Sequence, residues 1–137
     1  MSIFVNNATD TLAPTSGSLA VSGTISATGR ITPRIVSTTS GATITPTGDT
    51  ADQYEVTALA VTASVAAPSG TPADGQRLIL RIKDNGTRQT LSWTTTSGAY
   101  RAVGLTLPTT TTAAITYVGC IYNSADTFWD VVALAQV

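Results

Sequence analysis

Threonine fills 27 of the 137 positions, and this restricts the fold more than any other feature. Its branched Cβ stiffens χ1 and crowds a helix. On a strand the same branch packs against its neighbours and the hydroxyl meets water on a half-wet face. No segment carries a sustained helical apolar period with caps. Several short runs alternate apolar and polar residues and are bounded by Gly, Pro, Asn or Asp. The chain is therefore expected to be all-β, with about eight strands in a β-sandwich or jelly-roll-like domain.

The titratable groups are few. His is absent, Lys and Arg together number 7, Asp and Glu 8, and the net charge is −1. A nucleic-acid binder would carry a basic excess, so no nucleic-acid partner is expected. The carboxylates Asp10, Asp49, Asp52, Glu55, Asp74, Asp84, Asp126 and Asp130 are scattered, mostly beside Gly, Asn or Ser in turn-like contexts. Nothing in their spacing favours a two-carboxylate glycosidase, and the Asp49–Asp52 loop does not complete a Ca²⁺ ligand pattern. The chain is read as a non-enzyme, with no catalytic residue, cofactor or metal ligand assigned. Cys120, the only cysteine, lies in an apolar run and reads as a buried free thiol. Trp93 and Trp129 read as core anchors, with a carbohydrate-stacking platform as their alternative. No signal peptide and no membrane-spanning run is visible, so the protein is expected to be made in a cytoplasm.

The texture changes near residue 50. Residues 1–50 hold one aromatic, Phe4, among Thr, Ser, Gly and Pro. Too little apolar area is present there to offset ordering entropy, so an extended N-terminal arm is expected. Within it, residues 19–24 and 25–30 echo one another, with Leu19, Ile25 and Ile31 in equivalent places and Gly23 and Gly29 closing each unit. These read as short Gly-punctuated strands that would suit a stalk of several chains. Leu19, Val21, Ile25 and Ile31 are the candidate attachment residues, filling pockets on a partner while the arm adds as a strand to a sheet edge or lies in a groove between partner subunits.

Residues 51–137 are expected to form the β-domain. Tyr54, Val56 and Ala58 alternate onto one side of a first strand. Along residues 77–83, Leu78, Leu80 and Ile82 alternate with Arg77, Arg81 and Lys83. The turn Asp84-Asn85-Gly86 is expected to close a hairpin, with a return strand from Arg88 to Trp93. Arg77, Arg81, Lys83 and Arg88 then gather four of the 7 positive charges on one outward face. That face is either a contact surface for an acidic partner or charge protection of a strand edge. A second hairpin is expected from residues 115–122 and 127–134 around the turn 123–126.

Five segments of this region carry a resemblance. They are residues 67–78, Arg81-Ile82-Lys83-Asp84-Asn85-Gly86-Thr87, Leu91-Ser92-Trp93, residues 117–123, and Trp129-Asp130-Val131-Val132-Ala133. Residues 51–137 are similar to a domain of structural proteins of tailed bacteriophages, found in fibre-like and head-exterior proteins. The resemblance implies a homotrimeric β-domain on a virion and offers no catalytic residues. A chain of 137 residues has room for a short arm and one knob. This favours a capsid decoration or cement protein on the outside of the head shell, with the major capsid protein or another virion protein as partner. The alternative is a short tail or head fibre that recognises a host surface, there with a glycan as ligand.

Overall fold

In the computed structural model, which describes residues 23–24 and 26–137, every regular element is a strand. Nine are formed: β1 (Ile35–Thr38), β2 (Thr43–Ile44), β3 (Gln53–Leu59), β4 (Ala63–Val65), β5 (Arg77–Asp84), β6 (Leu91–Trp93), β7 (Tyr100–Ala102), β8 (Ile115–Asn123) and β9 (Phe128–Gln136). They build a six-stranded sheet of order β1-β3-β5-β8-β9-β7 and a three-stranded sheet of order β2-β4-β6. The all-β expectation holds.

The connectivity differs from a jelly roll. From β1 to β6 the chain passes alternately from one sheet to the other. Each strand pairs in parallel with the strand two places earlier, β1 with β3 with β5, and β2 with β4 with β6. Each circuit of the two sheets thus stacks on the last, where a jelly roll would pair antiparallel strands in Greek keys. The antiparallel part is the β8–β9 hairpin, which forms where the sequence places it. β8 pairs antiparallel with β5, and β7 pairs parallel with the far side of β9.

The expected hairpin after residue 83 is a correction. β5 lies between β3 and β8, and its inner residues Leu78, Leu80 and Ile82 are all buried. The return segment goes instead to the smaller sheet, where Leu91–Trp93 pairs with Ala63–Val65. The Asp84 carboxylate directs this exit. It is buried and accepts the Gly86 N–H at 3.0 Å and the Ala113 N–H at 2.8 Å. Ala113 sits at φ 70°, a left-handed conformation uncommon for a side-chain-bearing residue. An Asp-Asn-Gly stretch announces a turn, but which strand follows depends on which edges of β5 are already taken. Asp84→Ala is expected to cost ~1–3 kcal/mol, because two backbone donors lose the buried carboxylate that accepts them. Asp84→Asn, which keeps one carbonyl oxygen, is expected to cost less. Urea melts of the two variants measure the difference.

The domain boundary also moves. The compact unit runs Thr32–Val137. Residues 35–44 supply an edge strand to each sheet, and Ile44 is buried in the core. A unit cut at residue 51 would strip both edge strands. Arg34 anchors the entry, its guanidinium pairing with Asp52 at 2.7 Å and donating to the Asp49 carbonyl at 2.8 Å. Of the expected repeat over 19–30, residues 19–22 and 25 lie outside the described residues, and the described 23–24 and 26–30 form no strand.

One core cluster draws on both sheets, with Ile44, Val65 and Leu91 from the smaller and Val56, Leu80, Val118 and Trp129 from the larger. Val56 and Leu59 are both buried despite their odd spacing, because the register of β3 shifts between them. That irregularity leaves Ala58 half-buried, where simple alternation expects it beside Val56. Trp129 is buried. Trp93 is half-buried against the core, and its indole N–H donates to the Pro108 carbonyl at 2.7 Å.

Candidate interaction surface

The outer face of the large sheet can be read row by row from the register. One row runs Ile35, Gln53, Ile79, Gly119, Ala133, and the next Ser37, Glu55, Arg81, Tyr117, Ala135. Inward residues of β5 and β8 alternate with these, so the face is set by the same period-two pattern that fills the core. Ile35, Ile79, Tyr117 and Ile121 are all exposed there, and Val132 lies exposed at the β8–β9 register shift. Gly119 keeps the centre flat, since a Cβ on it would meet the Ala133 Cβ at 3.2 Å.

The four basic candidates do not act as one cluster. Arg77, Arg81 and Lys83 do share the outer face of β5, whereas Arg88 lies in the exposed loop that leaves for the smaller sheet. Arg81 is half-buried and bonded to Glu55 at 3.0 Å, the residue opposite it on β3. The expected basic face is thus partly neutralised from within. Of the four attachment candidates, Leu19, Val21 and Ile25 lie outside the described residues. Ile31 is 75% exposed.

At one corner of the sheet, Arg101 bonds Asp130 at 2.7 Å and Asp126 at 2.9 Å, and lies 5.0 Å over the Phe128 ring. Asn123 donates to both carboxylates. The Arg101 guanidinium holds the Asp130 carboxyl below the usual carboxylate range, and Arg34 does the same to Asp52. Asp74 is lowered by the Ser124 backbone N–H. A depressed folded pKa means the native state binds fewer protons than the unfolded chain. The stability these groups contribute is present above the unfolded value near ~4 and lost as pH falls through the folded values. Thermal melts are therefore expected to be flat between about pH 7 and 5 and to drop below about pH 4. Arg101→Met should shrink that acid-side drop.

Burial pushes the Cys120 thiol up to about 12, so it is a neutral apolar group at physiological pH. Among the described residues no three His, Cys, Asp or Glu side chains come together, and no helix is long and apolar enough to cross a membrane. No protein-family model, curated protein or solved structure matches the chain.

The cations of β5 stand out in the sequence, whereas the apolar residues beside them do not. The signal was present in β8, which carries no charged side chain in its 9 residues and is apolar at both phases of the strand. A strand with one wet face alternates, whereas one covered on both faces does not.

Proposed function

We propose that this protein is a non-enzymatic structural component of a tailed-phage virion. In this reading it is a homotrimeric decoration protein that binds the outside of the head shell and stabilises it. The observation that carries the reading is an all-strand domain whose largest sheet leaves apolar side chains exposed on its outer face. Such a surface serves contact with other proteins. The likeness of residues 51–137 to phage structural proteins supplies the setting, and the shared core of the two sheets supports a sandwich-like stacking. Attachment falls to the N-terminal residues, with Leu19, Val21, Ile25 and Ile31 as anchors and a shell protein as partner. Assembly would take place in the host cytoplasm. The alternative, a short fibre, uses the same domain as a tip against a host-surface glycan.

The test is to add purified protein to particles that lack it and image them by cryo-EM. A decoration protein repeats across the shell lattice, whereas a fibre shows at a few positions. A chain beginning at Thr32 keeps the whole compact unit and is expected to fold but not to bind. If it decorates such particles with unchanged affinity, attachment lies in the β-domain.

A further inference from the structure

We infer that the outer face of the six-stranded sheet is covered by a second copy of this chain, with Ile79, Tyr117, Gly119 and Ala133 at the centre of the seam. This rests on the homo-oligomeric reading above and names the surface that reading leaves open.

Three observations support the choice of occupant. The first is area. The six strands of the face hold 4, 7, 8, 9, 9 and 3 residues. At ~4.8 Å between strands and ~3.3 Å per residue its footprint is roughly 600 Å². Stable interfaces take roughly 600 to 1,000 Å² from each partner, so the face reaches the lower end of that range by itself.

The second is charge. The ions on this face are largely satisfied within the chain, Arg81 by Glu55 and Arg101 by Asp130. Arg77 and Lys83 sit at the two ends of β5, toward the rim. A centre whose one ion pair, Glu55–Arg81, is closed within the chain, inside a rim that carries the remaining cations, fits a protein interface. It asks no complementary charge of its partner, and a net charge of −1 per chain sets up little repulsion between copies. An acidic or basic partner would have left unpaired charge at the centre.

The third is the end of β9. β7 covers only Trp129–Val131 of its outer edge, and from Val132 to Gln136 no backbone partner lies on that side among the described residues. Residues 131–137 carry no charged side chain, so no charge guards this free edge against association. The open edge is continuous with the apolar centre through Ala133 and Ala135.

The test compares Ile79→Glu with Val61→Glu by light scattering after size exclusion. Ile79 and Val61 are similarly exposed, at 41% and 43%, but Val61 follows β3 and lies outside the sheet. Val61→Glu should keep the wild-type mass. Ile79→Glu should associate about thirtyfold or more weakly, as expected for a disrupted central contact, and elute toward 14.0 kDa. Hydrogen exchange on the wild type gives a second readout without substitution, with protection in residues 115–123 and 132–136 falling on dilution. A monomeric wild type would overturn the homo-oligomeric reading itself. An oligomeric wild type with unchanged Ile79→Glu association and concentration-independent exchange would leave that reading standing and overturn this seam. The latter result is also the one expected if the chain's own N-terminal residues cover the face.

Discussion

Trp129→Ala is expected to destabilise the domain by ~3–5 kcal/mol, at the upper end of what a single core truncation costs. The side chain is 1% exposed and sits on β9 between Tyr100 of β7 and Tyr122 of β8. Its ring centroid lies 5.2 Å from that of Tyr122 in a tilted pair. On another side the chain at Gly48 comes so close that a Cβ there would stand 3.1 Å from the indole Cζ2. Backbone on that side cannot collapse freely into the space an alanine would leave, so the cavity term adds to the lost burial. Denaturant melts at fixed protein concentration measure the loss. A cost under about 1 kcal/mol would mean that the site relaxes or that the indole is not a core group.

Leu80→Ala is expected to cost ~2–5 kcal/mol. Leu80 is 1% exposed, opposite Tyr54 on β3 and Val118 on β8, in the middle of the sheet where both flanking strands are fixed by hydrogen bonds. Lys83→Ala on the same strand removes an exposed side chain and should stay within ~0.5 kcal/mol. The contrast checks the period of β5 directly. Equal effects would mean that the strand does not alternate as drawn.

How much of this was legible in advance differs from strand to strand. The inward set Leu78, Leu80 and Ile82 could be read because alternation over a well-populated strand leaves only one face apolar enough to bury. The β8–β9 hairpin could be read because its strands are long and its turn is local. The partner of β5 could not. Parallel neighbours are joined through the other sheet, so their pairing depends on residues about 20 or more positions apart, as with Gln53 and Ile79. No turn signal encodes such a choice. The arm boundary failed for a related reason. Residues 35–44 are poor in large apolar groups, and their order comes from hydrogen bonding to β3 and β4. Composition measures what a segment can bury by itself, and these strands add on to edges already present.

The interaction surface shows the same division. The lack of His, the scarcity of charge and the isolation of Cys120 already argued against acid–base and thiol chemistry and toward contact, because those properties belong to residue types wherever they fall. Threonine content and alternation likewise determined that the regular elements of the described residues are all strands, since both act within a few residues. Tertiary structure alone decided that Arg81 meets Glu55, that Arg88 leaves the face, and that Ile79 lines up with Gly119 and Ala133. Each of those relations is set by cross-strand register. Register is fixed only when the buried faces of separate strands are packed against one another, and a local stretch of sequence holds one strand of that agreement at a time.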